Sequence, residues 1–541
     1  MTRKPFPQRC GYAVAAWLAF FLLATTITRG GVLDLTVLDE RGGELPCRVL
    51  VRTEAGECFV PEGAVEVRIG PDCWFVSPGQ SELEVADTAV ILRVEHGLEY
   101  VPLKTVVEVS GSKTSKTLEL TRWINLKELG YLAGENHIHV GSVPLAPMLA
   151  AEGLDFGTSL TWWNGPQRGA PLPRDSGRVS ELTFAGVSVP TSIYDGELEH
   201  AWGAAYLQNL PAPMPIEADP GRPNLDYVRH AVDAGGLVHY QGGWSREVAV
   251  NALLGLVHAV NVCNNQFQLH RFLPRSRYSN LLDVSGFPTY PGTPEGMLQM
   301  NLDTYYRLLN WGLTLPAGAG SACGAKPNPV GFNRAYVRVD TGATLDEFNR
   351  AWAAGKNFVT NGPVLLMKTD QGQRPGDVIE FLEGGGRVGL DVRAISHHAL
   401  TSVEIVVNGR VTKAFPVTDE HDFTGHADVE VPGGAWIAAR ATARDDLLTD
   451  KELARHSTGG PTANFPERPC RLRFAHTSPI YVTVAGKPAA VRRSMEEGFR
   501  MLDAFEAFAR NNAGHKHLPA ILGATDQARR KLLSRLEDAA S

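Results

Sequence analysis

The chain has 541 residues, 43% of them hydrophobic, and a formal net charge of -7. This length exceeds what one hydrophobic core usually supports, so it predicts several domains. The slightly acidic balance lacks the clustered basic charge that nucleic-acid binding requires, which argues against nucleic acid as a partner.

The amino-terminal segment differs in texture from the rest of the chain. Arg3, Lys4 and Arg9 precede the uncharged run CGYAVAAWLAFFLLATTI. A basic stretch followed by an apolar one is typical of an export signal, and no A-x-A-like cleavage site follows at once. Residues 1–31 are therefore predicted to be a signal peptide or an uncleaved N-terminal anchor, with a core helix as the alternative. The bulk of the protein is then secreted or periplasmic, and it touches a membrane only through such an anchor.

Residues 32–122 consist of short alternating segments such as LDLTVLD and CRVLVRT, separated by turn clusters. Alternation with period two between turns predicts an antiparallel β-sandwich domain. Cys47, Cys58 and Cys73 could supply one disulfide in an oxidising compartment, although spacing does not fix the pairing.

Residues 123–365 alternate apolar strands with helical stretches such as PLAPMLAAEG and LDYVRHAVDAGG. Strand, helix and strand in series predict a parallel sheet, most simply a barrel, with functional residues at the carboxyl ends of its strands. Residues 366–489 alternate again and contain the hairpin signal Asn408-Gly409, which predicts a second β-sandwich. Residues 490–541 contain two amphipathic helices that should pack on a neighbouring domain.

The stretch Glu135-Asn136-His137-Ile138-His139 is the first candidate for chemistry. Because side chains alternate along a strand, Glu135, His137 and His139 should share one face. Neutral imidazole and carboxylate are good ligands for zinc-like ions, so this stretch indicates half of a metal site. The alternative is two half-buried histidines bonded to backbone carbonyls.

Further ionisable and polar residues fall in the same predicted domain. Glu197, Glu199 and His200 lie in an acidic stretch that is otherwise interpreted as a solvated loop, and His239 ends an apolar strand. His239, His200 and Glu197 are candidate additional metal ligands, and Glu135 and Glu199 are candidate general bases. Candidate substrate-binding residues stand at two other strand ends and comprise Trp162, Trp163, Asn164, Asn261 and Asn264, with core packing and helix capping as their alternatives.

The order of these features resembles the CehA/McbA-type metallohydrolases of the PHP (polymerase and histidinol phosphatase) superfamily, over most of the chain from about residue 32. The most specific match is 134–139, where that family has Gly-Asp-x-His-x-His. The resemblance implies a multidomain α/β plus β protein, in which a PHP-like distorted α/β barrel is flanked by two antiparallel β-sandwich domains and a C-terminal helical segment. It also implies bound zinc, manganese or iron and hydrolysis of phosphate or carbamate esters.

The chain departs from the family pattern at three places. It has Thr161-Trp162-Trp163-Asn164 in place of Thr-Asp-His-Asn, and Gly320-Ser321-Ala322-Cys323-Gly324 in place of Gly-Ser-Asp-x-His. Asn261 stands where the family has a glutamate. These departures remove ligands of a trinuclear site, so one divalent metal, zinc in the first instance, is the expected cofactor.

Two functions remain open from the sequence. The first is an exported metal-dependent hydrolase of an ester-like bond (carbamate, carboxyl or phosphate ester), which uses a metal-activated water on a small-molecule or polymer substrate. The second is a noncatalytic descendant of the same fold that binds an extracellular carbohydrate or protein, as the lost ligands and the retained tryptophans suggest.

Overall fold

The computed structural model describes residues 30–164, 178–214, 216, 219, 221–242, 245–274, 287–456 and 468–540. The predicted leader falls on residues outside these ranges, apart from its last two positions. The protein is multidomain and mostly β, with several sheets and a C-terminal helical segment. Within the described ranges, no helix combines the length and the apolar character needed to cross a membrane.

The first region forms two packed sheets, as the alternating sequence predicted. Its strands are β1 (Gly31–Leu38), β2 (Cys47–Arg52), β3 (Cys58–Phe59), β4 (Glu66–Ile69), β5 (Asp72–Ser77), β6 (Gln80–Val85), β7 (Ala89–Glu95), β8 (Leu103–Glu108) and β9 (Lys113–Glu119). One sheet has the order β6-β1-β9 and the other the order β4-β5-β2-β7-β8, with β3 on β2. Leu33, Leu35 and Val37 of β1 point into the shared core.

The pairing in this sandwich is not purely antiparallel, because β1 pairs with β9 in parallel. That register lets the buried face of β1 meet Leu118 of β9 in the core. Cys47, Cys58 and Cys73 are free thiols in this structure.

The middle region contains both strands and helices up to residue 360, with four successive strands between residues 157 and 208. Its elements are β10 (Tyr131–Gly134), α1 (Ser142–Ala151), β11 (Gly157–Trp163), β12 (Val179–Phe184), β13 (Val187–His200), β14 (Gly203–Gln208), α2 (Leu225–Asp233), β15 (Leu237–Gln241), α3 (Val248–Leu253), β16 (Ala259–Cys263), β17 (Arg271–Phe272), α4 (Pro294–Asn310), β18 (Ala317–Ala319), β19 (Arg334–Arg338), α5 (Leu345–Ala353) and β20 (Asn357–Thr360).

Local sequence explains where several of these helices begin. The Thr293 side chain accepts a hydrogen bond from the Gly296 N–H, and Pro294 occupies the first helical turn of α4, where its missing N–H costs nothing. Helix α5 begins with a capping box, in which Thr344 and Glu347 satisfy each other's backbone N–H groups.

A mixed seven-stranded sheet carries most of the candidate site residues. Its order is β11-β13-β14-β15-β16-β18, with β12 on β13. Strands β11 and β13, β15 and β16, and β16 and β18 pair in parallel, whereas β14 is antiparallel to both neighbours.

The segment 134–139 lies between the two edge strands of this sheet. On one side, Asn136 N–H donates to Ala319 O at 3.2 Å and His139 N–H donates to Cys323 O at 2.8 Å. On the other side, Leu160 N–H of β11 donates to Ile138 O at 2.8 Å. The histidine-bearing segment is therefore held by backbone hydrogen bonds from both flanks.

The third region contributes β21 (Val364–Thr369), β22 (Val378–Phe381), β23 (Gly386–Ile395), β24 (Ala399–Val407), β25 (Arg410–Phe415), β26 (Asp422–Val431), β27 (Ala435–Arg444), α6 (Asp450–Arg455), β28 (Arg468–Pro469), β29 (Leu472–Thr477) and β30 (Ile480–Val484). The sheet β21-β23-β26 packs against a nine-stranded sheet through a core of aliphatic side chains. That nine-stranded sheet has the order β10-β19-β20-β29-β27-β24-β25, with β30 paired to β27 and β22 paired to β30. It therefore continues from this sandwich into the middle region.

Two long helices, α7 (Arg492–Asn512) and α8 (Leu518–Ala540), end the described chain and pack on the middle region, as predicted. The Trp311 indole N–H donates to Ser494 O at 2.7 Å. Arg307 and Glu497 form a buried ion pair at 2.6 Å. A buried ion pair and a satisfied indole fix the orientation of α7 on α4.

Candidate metal centre

The side chains of His137 and His139 converge on Glu197. The Nε2 atoms of the two histidines lie 2.9 Å apart. The Glu197 Oε2 atom is 2.9 Å from His139 Nε2 and 3.4 Å from His137 Nε2. One ligand atom from each of the three residues lies within 4.8 Å of the other two. This donor set of two imidazole nitrogens and one carboxylate oxygen could hold a divalent metal ion.

The register of the seven-stranded sheet brings Glu197 to this place. Glu197 pairs with Trp163 of β11 on one side and with Tyr206 of β14 on the other. Side chains of directly paired residues project from the same face of a sheet, so these three side chains form a row. The 134–139 segment is joined to β11 by a backbone hydrogen bond and brings its two histidines to this row.

Burial and mutual interaction shift the pKa values of both His137 and Glu197. Burial lowers the pKa of His137, and the Glu197 carboxylate opposes this effect. Burial alone would raise the pKa of Glu197, but the two imidazoles hold it well below its usual range. A carboxylate that stays ionised beside a largely neutral imidazole is the state that a metal site needs, because protonated groups do not coordinate metal.

Two buried atoms of the centre lack a hydrogen-bond partner. In the described part of the chain, His137 Nδ1 has none, although burial normally requires one. Glu197 Oε2 likewise makes no hydrogen bond of good geometry despite its short approach to both imidazoles. Contacts that are short yet poorly aligned for hydrogen bonding suit atoms arranged around an ion.

Two aromatic rings bound the centre. The Tyr206 ring lies 4.2 Å from the His137 ring and is fully buried, whereas the Trp163 ring lies 4.7 Å from the His139 ring. Trp163 is 48% exposed and the His139 side chain is 9% exposed, so the centre meets solvent at this end beside Trp163. Tyr206 closes the other end.

Glu135 lies beside these histidines in sequence, but its carboxylate bonds elsewhere. Its Oε2 atom accepts hydrogen bonds from the Ser321 hydroxyl, from Ser321 N–H at 3.2 Å and from Gly331 N–H at 3.0 Å. Burial raises the pKa of Glu135 to about 8. A bend at Asn136 interrupts the strand, so strict alternation from Glu135 to His137 is lost.

His239 is not a member of the three-residue group. It lies in the same row as Tyr206, and its Nδ1 atom is 2.6 Å from Asn136 Nδ2. Since an amide nitrogen only donates, His239 Nδ1 is the acceptor in this contact. The Asn136 amide also exchanges two hydrogen bonds of 2.8 Å with the Asn261 amide. His239 and Asn261 thus belong to a buried polar cluster beneath the histidine segment.

The remaining predicted residues of the acidic stretch lie at the rim. His200 is half-buried, where burial lowers its pKa to about 4. Its Nδ1 atom accepts a hydrogen bond from Trp202 N–H at 3.4 Å. The Asn164 side-chain oxygen accepts from the Glu199 N–H at 2.6 Å. Neither His200 nor Glu199 is part of the three-residue group.

Two other predicted substrate-binding residues are buried. The Trp162 ring lies on Gly196, where an added Cβ would come within 1.9 Å of its Cε2 atom. The Trp162 indole N–H donates to Tyr194 O at 3.0 Å. Asn264 accepts from Gln266 N–H at 3.0 Å and donates to Asn261 O at 3.2 Å. Trp163 is therefore the tryptophan of this pair that a ligand can reach.

Tyr206 and Ser321 were not expected at the site from sequence. Tyr206 lies in an apolar strand that carries no motif, and only the pairing of β13 with β14 places it beside Glu197.

A second group of possible ligands, Asp370, Asp391 and His426, lies on the exposed surface of the C-terminal sandwich. The His426 side chain is 48% exposed.

Comparison of the chain with protein-family models, with curated proteins and with solved structures finds no match.

Proposed function

We propose that the chain is a metal-dependent hydrolase of the PHP-like type that cleaves an ester-like bond. One divalent metal, zinc in the first instance with manganese or iron as alternatives, is held by His137, His139 and Glu197. The observation that carries the proposal is the convergence of these three donor atoms from separate parts of the chain. His239 and His200, the other histidines predicted from sequence to be metal ligands, do not bind the metal in this proposal.

The residues present fit such an ion. Two imidazoles and a carboxylate are the ligand set of many hydrolytic zinc sites, which keep a further position open for water or substrate. When bound, a divalent ion lowers the pKa of a water molecule and polarises the scissile group. The solvent-exposed end beside Trp163 is where a substrate could approach.

Glu199 is the residue best placed to accept a proton. It lies two positions after Glu197 in β13, so both side chains project from the same face of the strand. Glu199 is also half-buried at the rim, whereas Glu135 is buried against Ser321 and Gly331. In this proposal Glu199 is the general base, and Glu135 positions the 320–331 segment behind the histidines.

A distorted barrel is part of the same proposal. The seven-stranded sheet is open in its strand order, but hydrogen bonds to 134–139 from both of its edges support closure through this segment. A ring of strands around a site at the strand ends is the architecture that the resemblance implies. Export through the amino-terminal segment likewise remains a proposal.

Metal content tests the proposal. Purified protein is saturated with zinc, desalted and analysed for bound metal. About one equivalent is expected for the unaltered chain, and less than about a tenth for His137→Ala and Glu197→Gln, because losing one of three ligands removes most of the affinity. His426→Ala is the matched control, since it removes a histidine of the exposed second group. Equal zinc content in all four proteins would refute the site.

A second function is favoured by one observation, the exposed Trp163 ring beside His139. In this alternative the protein binds an extracellular carbohydrate or protein without catalysis, and Trp163 stacks on the ligand. Glycan-array binding that persists with chelator and is lost in Trp163→Ala would favour this alternative over the hydrolase. Binding that requires metal would count against it.

A further inference from the structure

A polar cavity lies where the first sandwich, the middle region and the C-terminal sandwich meet, and it is separate from the metal centre. Its volume is about 40 Å³. Each region contributes charged or imidazole side chains to its walls. The ionisable residues that line it are Arg48, Arg93, Glu95, Glu152, His270, Arg334, His397, His398, Asp445 and Arg473.

The charges around this cavity do not cancel. Four guanidinium groups face three carboxylates, and burial lowers the pKa of His397 to about 4 and that of His398 to about 3, so neither imidazole is charged at neutral pH. Burial likewise lowers the pKa of His270 well below its usual range. One positive charge therefore remains in excess among the lining residues. An excess of buried positive charge on the cavity wall favours a bound anion.

The arginines are fixed in place, so they form a preorganised wall. Arg48 bonds Glu95 at 2.6 Å and Glu152 at 2.8 Å. Arg93 bonds Glu95 at 2.7 Å, and the Arg48 and Arg93 guanidinium groups stack on the Trp74 ring at 4.2 Å and 4.8 Å. Ion pairs and stacking together leave these side chains little freedom to turn toward other partners.

Several polar atoms of the wall still lack a partner within the described ranges. They are Arg48 Nη1, Arg93 Nε, His270 Nε2 and both ring nitrogens of His397. The two arginine nitrogens are always donors, and each neutral imidazole offers one further N–H. Buried donors are normally satisfied, so unpaired donors on lining residues of one cavity indicate that something accepts from them.

We propose that this cavity binds one small monocarboxylate, of the size of formate or acetate, and that the bound anion ties the three regions together. One buried water needs about 10–15 Å³ of cavity volume, so the cavity could hold roughly three water molecules. Neutral water would not offset the excess positive charge of the lining residues. A planar carboxylate accepts from several N–H donors at once and cancels one charge. Half-buried Leu98, Pro102 and Leu447 line the cavity toward solvent, so a small ion can enter.

Thermal unfolding with sodium formate and sodium acetate tests this proposal. Ionic strength is held constant with sodium gluconate, which is too large for the cavity. A ligand that binds only the folded state raises the melting temperature in a saturable way. We expect such a rise with formate or acetate for the unaltered chain. The apparent affinity for the anion should be at least about tenfold weaker in His397→Ala and in Arg93→Lys. The lysine keeps the positive charge but lacks the planar guanidinium group that binds a carboxylate through two N–H donors.

The exposed His426→Ala variant is the matched control and should respond like the unaltered chain. Calorimetric titration with acetate gives the stoichiometry, which should be one. His397 lies in the loop between β23 and β24, so its replacement should leave the fold intact, as circular dichroism can verify. No rise above the gluconate baseline, or an equal rise in all variants, would overturn the proposal and leave the cavity to water.

Discussion

The Oε2 atom of Glu197 lies 2.9 Å from the Nε2 atom of His139, although 58 residues separate them in sequence. The contact exists because β13 pairs with β11 in one sheet while a backbone hydrogen bond joins the histidine segment to β11. The Glu197 carboxylate thereby completes a set of three donor atoms that neither β13 nor the histidine segment could supply alone.

Zinc should stabilise the folded protein through this carboxylate. We expect zinc to raise the melting temperature of the unaltered chain, and Glu197→Gln to require at least about tenfold more zinc for the same rise, because an amide is a weaker ligand than a carboxylate. Differential scanning fluorimetry over a zinc series measures both. A zinc response that is unchanged in Glu197→Gln would remove Glu197 from the site.

Gly196→Ala should destabilise the sheet beside the centre. The new Cβ would meet the buried Trp162 ring, and displacing a packed ring costs about 2–3 kcal/mol. Gly342→Ala is the control, because nothing lies within 4 Å of a Cβ at that position. Urea unfolding of both variants gives the difference, and equal free energies of unfolding would contradict the packing of Trp162 on Gly196.

The amides of Asn136 and Asn261 should be energetically coupled. Each single change to alanine leaves the other amide buried without its partner, at a cost of about 1–3 kcal/mol. The double variant should therefore be more stable than the two single losses predict, with a coupling of about 1–2 kcal/mol. A double-mutant cycle from chemical unfolding checks this, and strict additivity would speak against the paired amides.

Glu247 should make the fold less stable as pH rises. Burial raises its pKa to about 8, although the Tyr240 hydroxyl donates to it at 2.9 Å. The folded state therefore keeps a proton on Glu247 that the unfolded state loses above its ordinary pKa, so this group's contribution is present at low pH and disappears as pH rises toward about 8.

Glu247→Gln isolates this contribution, because glutamine retains the shape and does not titrate. Between about pH 6 and about pH 8 the unaltered chain should lose about 2 kcal/mol more free energy of unfolding than the variant. Unfolding curves at the two pH values measure the difference. Parallel pH dependence in the two proteins would mean that Glu247 is already ionised in the fold.

Elements with strong local signals were predictable from the sequence. The amphipathic stretch LDYVRHAVD is α2, LVHY lies within β15, and MEEGFRMLDAFEAFARNN lies within α7. Their periodicity reports which face is buried, and burial of that face is what stabilises each element.

The surroundings of the histidines depended on long-range pairing, which leaves no local signal. The acidic stretch around Glu197 was equally compatible with a solvated loop, yet it forms the end of β13 because its charge is met by two imidazoles from another segment. The bend at Asn136 and the hydrogen bonds of Glu135 to Ser321 depend on a segment almost two hundred residues away. Strand register of this kind follows from the whole sheet.

A crystal structure of the zinc-soaked protein, with anomalous data at the zinc edge, tests the central claim most directly. The account predicts an anomalous peak bonded to His137 Nε2, His139 Nε2 and a Glu197 oxygen, at about 2.0–2.2 Å from each. A peak confined to the exposed group of Asp370, Asp391 and His426, or no peak at all, would contradict it.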